Sequence, residues 1–276
     1  MTEQREAVQF LVDGGLSVQR ACALAQIHRS TFRYVAHPND DTALRSQIQA
    51  LALQHPRYGY RRISVLINRA EKVNQKRIRR LWRLNRLQVR RVVRKRTRRA
   101  RPERLQAAYP GHIWAYDFVE DALADGTPLR ILTVIDEFTR EGLAIDVALT
   151  TSAERVIGVL RALFAQHGAP AHLRSDNGAE FVAIALQSWL AQSEVQTLYI
   201  EPGKPWQNGK EERFNGTVRD ECLNLHIFTS LAEAAVRLNA FRRHYNSERP
   251  HSQLGYLTPV AFKVAWLEAQ AKVQDS

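Results

Sequence analysis

Cysteine is nearly absent from this sequence: only Cys22 and Cys222 occur. They form neither a zinc-ligand pair nor a disulfide framework, so each is expected to be a small buried side chain, and a reducing cytoplasm fits best. No apolar run reaches the ~18 residues that mark a membrane span. No charged-then-apolar leader precedes the first helix pattern, so no signal peptide is expected. Acidic residues are scarce at one end only. Residues 1–110 hold 25 Lys+Arg against 7 Asp+Glu, a net +18, whereas residues 111–276 hold 15 against 21, a net −6. A basic arm on a mildly acidic globular part points to a polyanion-binding module joined to something else. Membrane-surface binding fits less well, because the basic region lacks a broad apolar face.

A phosphate-cradling loop is also missing. "PGKPWQNGKEERFNG", residues 202–216, suggests one, but five residues separate Gly203 from Gly209 where four are needed. The residue after Lys210 is Glu211, a carboxylate that would repel phosphate, where a magnesium-holding Ser or Thr belongs.

Residues 3–36 read as a small helical unit with a Ser17-capped helix, a short turn and a second helix from Arg29 or Ser30. Two short helices around a tight turn suggest a helix-turn-helix over 1–38 that offers Arg29 and Arg33 to a DNA groove. An ordinary three-helix protein-contact module is the alternative. After a "HPNDD" linker, residues 42–95 form a second basic helical module with Arg61, Arg62, Lys76, Arg79, Arg80 and Arg83 as candidate DNA contacts. Fifteen of the 29 residues from Lys76 to Arg104 are Lys or Arg, with one acidic residue among them. A merely solvated face normally mixes its signs, so phosphate binding with strong salt dependence is expected. The basic linker over 96–110, with the run before it, is expected to be extended until it meets nucleic acid.

From Pro110 the pattern becomes strand-like. "HIWAYDFVE", "LRILTVI" and "GLAIDVAL", joined by "ADGT" and "DEFTRE", read as an antiparallel meander. The helix "AERVIGVLRALFAQHG" follows, with Thr151 and Glu154 as a capping box and Gly168 as its stop. A strand, a helix, a strand and a helix complete the order βββ-α-β-α-β-α, and residues 230–268 add a helical tail. The fold class is α/β, a mixed-sheet core preceded by all-α modules.

Three carboxylates stand out by position. Asp117 shares strand parity with Ile113, Ala115 and Val119, so it points to an apolar face where it needs a partner or a cation. Asp176 follows a short strand at the sheet's C-terminal edge, where α/β sheets place ligands, although "DNG" is also an ordinary turn signal. On the last core helix Phe214, Val218, Cys222 and Leu225 form the apolar stripe. Glu212 shares a polar flank with Asn208, Asn215 and Arg219, while Glu211 falls nearer the stripe. Glu212 is therefore favoured as the third carboxylate, with Glu211 as the fallback. Lys204, Trp206 and Lys210 sit where a DNA strand could touch the loop. Such carboxylates could converge on magnesium, and two ions would clamp the oxygens of an in-line phosphoryl displacement. Asp136 reads as a turn group or an outer partner of the site, with a stray metal ligand as the alternative; His251 reads as a capping or packing group rather than a metal contact; Trp82 and Trp189 read as helix packing.

Thirty-five residues separate Asp176 from Glu212, and Arg219 lies seven beyond the Glu. With "WAYDF", "SDNGAEF", "GKPWQNGKEERFNGTVRDECLN" and "YNSERPHSQLGYLTP" in that order, the chain resembles the DDE transposases of bacterial insertion sequences. It is most similar to the OrfB product of the IS-three group, kin to retroviral integrases. The likeness covers nearly the whole chain, including "HPRYGYRRI". It implies an RNase H-like catalytic core over 111–268 and magnesium-dependent strand transfer, with manganese as a substitute. It assigns Asp117, Asp176 and Glu212 as catalytic metal ligands and Arg219 as a residue near the DNA backbone. It further implies double-stranded DNA partners (terminal inverted repeats and target DNA), a homo-oligomer, an OrfA partner or fusion, and a bacterial cytoplasmic, nucleoid-associated location. Unlike retroviral integrases, the chain has no His/Cys zinc spacing, so no zinc is expected. A non-catalytic DNA-binding regulator and a plain nuclease of the same fold are the rival readings.

Overall fold

The computed structural model describes residues 2–35, 40–89, 105–175, 184–199 and 208–274. Asp176, Lys204, Trp206 and the basic run 90–104 lie outside them. The chain divides into two compact units, Met1–Gln47 and Ile48–Ser276.

In the first unit, α1 (Thr2–Asp13), α2 (Val18–Leu24) and α3 (Arg29–Arg33) close around Val8, Ala21, Cys22 and Ile27. Ser17 caps α2, its side chain accepting from the Arg20 N–H, as expected from the sequence. The His28 ring caps α3, accepting from the Ser30 N–H. Arg29 and Arg33 are exposed. The helix α4 (Thr42–Gln54) runs across the unit boundary.

The second unit takes in α5 (Tyr60–Asn68), α6 (Gln75–Leu84) and a five-stranded sheet. Asn74 caps α6, whose Ile78, Leu81 and Trp82 are buried while Lys76, Arg79, Arg80 and Arg83 stay exposed. That split follows the 3.6-residue period, which puts positions 76, 79, 80 and 83 on one face.

The sheet strands are β1 (Ile113–Ala122), β2 (Pro128–Asp136), β3 (Gly142–Ala148), β4 (His172–Ser175) and β5 (Gln196–Tyr199), in the order β3-β2-β1-β4-β5. The first three pair antiparallel, and β4 and β5 add parallel to β1. The meander is antiparallel because its connections are short; the parallel strands each follow a helix, α7 (Ala153–His167) or α8 (Ile184–Gln192). One sheet face, through Trp114, Tyr116, Leu132 and Val134, packs with Leu160 of α7 and Leu186 of α8. The other, through Ala115, Val119, Ile131 and Ile145, packs with α9 (Glu211–Glu221) and α10 (Leu231–Ser247). The last helix, α11 (Pro259–Gln274), packs on α10.

Two local expectations need correction. The cap of α7 is Ser152, whose side chain accepts from the Arg155 N–H, not Thr151 one residue earlier. The stop at Gly168 stands, at φ 81°. The apolar stripe of α9 is buried at Phe214, Val218 and Cys222, but Leu225 is 42% exposed. The α-helix ends at Glu221 and a 3₁₀ turn, Leu223–Leu225, shifts the register, so Leu223 turns inward instead. Both cysteines are buried and free, and burial pushes the Cys222 thiol up to about 11. Gly142 has no room for a side chain, because a Cβ there would lie 2.7 Å from the Phe214 ring.

The "HPRYGYRR" segment fastens the second helical module to the end of α9 and to α10. Arg57 pairs with Asp220, and Arg62 donates to Glu221 Oε1 at 3.0 Å. Glu221 also accepts two bonds from Arg249, at 2.7 Å each. Tyr58 Oη lies 2.9 Å from His244 Nε2, and His55 stacks on both rings. Next to Arg249, His251 donates from Nε2 to the Tyr245 carbonyl at 3.0 Å, so it packs as the sequence context suggests.

Burial, and then the Arg249 charge, pull the His251 imidazole down to about 3 from 6.5. Between those values the unfolded chain takes up a proton that the folded one refuses, so stability falls as pH drops from 6.5 toward 3. At ~1.36 kcal/mol per unit the loss reaches about 2 kcal/mol by pH ~5. Melting of wild type and His251→Gln across that range should show a shallower acid decline for the variant. Equal slopes would remove His251 from the account.

Candidate active site on the sheet face under the last core helix

The period-2 alternation of β1 sets Asp117 on the face that receives α9, half-buried beside Ala115 and Val119. Asp117 Oδ1 accepts the Phe118 N–H at 2.7 Å, and Oδ2 accepts from Asn215 Nδ2 at 3.0 Å. Its cross-strand partner is Thr133 on β2. Phe214 and Val218 seat α9 in the core, which turns Glu211 and Asn215 toward the same spot.

Thr133 Oγ1 is the hub. It lies 2.6 Å from Glu211 Oε1, 2.8 Å from Asn215 Oδ1 and 3.1 Å from the Asp117 carbonyl. A hydroxyl has one proton to give, so Thr133 shares it among the Glu211, Asn215 and Asp117 oxygens. Glu211 is fully buried, and that burial raises its carboxyl well above the usual range; Asp117 and Glu137 push the same way against the Thr133 bond. Glu211 Oε2 has no hydrogen-bond partner among the described residues. Glu212, the next residue, is exposed. The structure thus brings Glu211, rather than Glu212, into contact with the Asp117 network. Arg219 is exposed on the same helix and donates to the Glu120 carbonyl at 2.8 Å.

Around this pair lies a buried charge cluster. Glu137, fully buried, pairs with Arg174 of β4 and with Lys210, whose Nζ is 3.1 Å from Glu137 Oε2. Asp136 is a turn group: its Oδ1 accepts from Phe138 and Thr139 N–H and its Oδ2 from Gly111 N–H at 2.6 Å. Of the basic residues read as facing DNA, Arg61, Lys76, Arg79, Arg80 and Arg83 are exposed. Arg62 and Lys210 are ion-paired to carboxylates.

Thr133, Glu137 and Arg174 were not singled out in the sequence. Thr133 becomes visible only through the β1–β2 register. The signal for Glu137 and Arg174 would have been an acid and a base at strand ends with no nearby partner. The donors grouped here are all oxygen, which suits magnesium or manganese. Among the described residues no group of three or more His, Cys, Asp or Glu side chains converges to hold a metal, and Asp176 lies outside them.

Comparison with known proteins gives the family and the fold. An integrase core domain model matches residues 107–205, a second model of the same description matches 193–259, and an HTH-like domain matches 38–96. The chain is 41% identical over 268 residues to the 31.7 kDa protein of insertion element IS407 of Burkholderia multivorans, covering 94% of this chain and 96% of that one. It is 40% identical to the 39.2 kDa protein of insertion element IS476 of Xanthomonas euvesicatoria, covering 97% and 79%. The putative transposase InsK of IS150 from Escherichia coli is 28% identical, over 87% and 90%. A simian T-cell lymphotropic virus intasome chain shares the fold, with a TM-score of 0.51 at 15% identity over 79% of this chain and 74% of that one. The fold is that of the RNase H-like integrase cores, and the chain belongs to the insertion-sequence transposases that carry an integrase core.

Proposed function

We propose that this protein cuts one DNA strand at the end of an insertion sequence and joins the freed end to another DNA. Water attacks the phosphodiester and a 3′ hydroxyl leaves. That hydroxyl then attacks a second phosphodiester and displaces its 3′ oxygen. The observation that carries this reading is Asp117, fixed mid-strand by Asn215 and facing the helix start that holds Glu211 and Glu212. Asp117, Asp176 and Glu212 would hold two magnesium ions, with manganese as a substitute, and the ions would supply charge stabilisation to the phosphoryl displacement.

The protein's own groups bind and orient. Asn215 and the Phe118 N–H hold the Asp117 carboxylate in one rotamer. Arg219, beside the site, and Lys204 meet the DNA backbone. The exposed row Lys76, Arg79, Arg80 and Arg83 of α6, with Arg61, tracks phosphates of the duplex, and Arg29 and Arg33 of α3 do so in the first unit. The modules 1–38 and 42–95 and the linker 96–110 serve end binding, and 111–268 serves catalysis. The protein works as a homo-oligomer on terminal inverted repeats and target DNA, with OrfA as partner or fusion, at the bacterial nucleoid.

A second reading exchanges Glu211 for Glu212 as third ligand, on the strength of the Thr133–Glu211 contact beside Asp117. The function is tested with a labelled duplex carrying the element's terminal repeat. A magnesium-dependent nick at the element's 3′ end, absent on unrelated duplex, is expected. Cutting without regard to the end sequence would instead mark a plain nuclease.

A further inference from the structure

We infer that the buried Arg174–Glu137–Lys210 triad is a positioning device that ties together the two chain segments bearing the proposed ligands Asp176 and Glu212, and that Lys210 acts through Glu137 rather than by touching DNA. This rests on the reading of the carboxylates given above.

Glu137 sits just past the end of β2 and is fully buried; its N–H donates to the Ile113 carbonyl at 2.9 Å, which fixes it to the start of β1. Arg174, 4% exposed, reaches it from β4, two residues before Asp176, and gives its other arm to the Leu105 carbonyl at 3.0 Å. Lys210 reaches it from the residue just before α9, two residues before Glu212. The ammonium also donates to the Glu137 backbone carbonyl at 3.1 Å, so one residue holds it twice.

A cation at a helix N-terminus works against the helix dipole. Lys210 occupies that position without capping α9 through its side chain. Its placement makes physical sense once the Glu137 carboxylate neutralises it. A lysine that meets a DNA phosphate must present its head to the ligand, whereas the Lys210 side chain is 17% exposed and paired with a buried carboxylate. The triad therefore acts as a clamp across three chain segments that are far apart in sequence. Losing Arg174 or Lys210 breaks the Glu137 contact with β4 or with the start of α9.

The test uses the full chain with Lys210→Met, Lys210→Arg, Glu137→Gln and the Lys210→Met/Glu137→Gln double variant. Lys210→Met leaves Glu137 paired with Arg174, so it is the variant that keeps its fold; melting curves check the rest. Three quantities are read: strand joining, manganese affinity by titration, and the salt dependence of duplex binding in chelator. Loss of an outer partner of a metal site costs roughly 10–100-fold. Lys210→Met and Glu137→Gln should each weaken manganese binding and joining by about tenfold or more, the double variant no further, with Lys210→Arg restoring most of it. Duplex affinity and its salt slope should match wild type. A salt slope shallower by about 0.9 in Lys210→Met would identify a lost phosphate contact and overturn the inference. So would wild-type manganese affinity in that variant, or multiplying effects in the double. If wild type binds manganese but never joins DNA, the functional reading fails and the clamp is judged on the manganese titration alone.

Discussion

Asp117→Asn should abolish strand joining while leaving duplex binding intact. The asparagine keeps the shape and the Phe118 contact at Oδ1. It removes the charge and can turn an amide toward Asn215 Nδ2, which now donates to Asp117 Oδ2. Losing a direct carboxylate ligand should exceed the roughly 10–100-fold that loss of an outer partner costs. Glu212→Gln should fall as far. Glu211→Gln is the informative neighbour. Glu211 Oε1 accepts from Thr133 Oγ1, and an isosteric amide keeps an oxygen there, so joining should drop by less than tenfold, roughly one outer hydrogen bond. The opposite ranking, with Glu211→Gln dead and Glu212→Gln active, would hand the ligand role to Glu211. Joining is read on a labelled terminal-repeat duplex and binding by mobility shift.

Glu221→Ala should destabilise the second unit more than any exposed substitution. Glu221 carries three charge-assisted bonds, two from Arg249 and one from Arg62, and its side chain is 10% exposed. Alanine strands the Arg249 guanidinium, itself 5% exposed on its side chain. Breaking a buried pair from one side costs roughly 3–5 kcal/mol, which for a domain of this size lowers the melting temperature by roughly 6–20 °C. Because Arg62 lies in α5 and Glu221 ends α9, the variant should also loosen the helical module, seen as earlier proteolysis between residues 48 and 105. A melting temperature within about 2 °C of wild type, at most about 1 kcal/mol, would show that the cluster contributes little.

The element order was legible in the sequence because each segment carries its period: alternation in β1 to β3, a 3.6-residue stripe in α7, and turn residues at 124–127 and 136–141. The face of Asp117 was legible for the same reason, since Ala115 and Val119 share its parity and are buried with α9. The ends of helices were less so. Thr151 and Ser152 are adjacent cap candidates, and only the backbone path selects Ser152. Leu225 fits the α9 stripe until the helix stops at Glu221. Charge was the least legible. Lys210 and Arg62 look like their exposed neighbours in sequence, yet each is tied to a carboxylate, and the Arg62–Glu221 partners stand 159 positions apart. Counting signs along a chain cannot reveal partners that only the fold brings together. Thr133 was invisible because strand register, not local pattern, sets it opposite Asp117.

The most direct test of the account is strand joining by wild type beside Asp176→Asn. Both proteins are mixed with magnesium, a labelled terminal-repeat duplex and a second, unlabelled DNA. Joined product from wild type alone, lost on chelation, is the predicted result. Equal joining by the Asn variant, or end binding with neither cutting nor joining even when the OrfA protein is added, would contradict it.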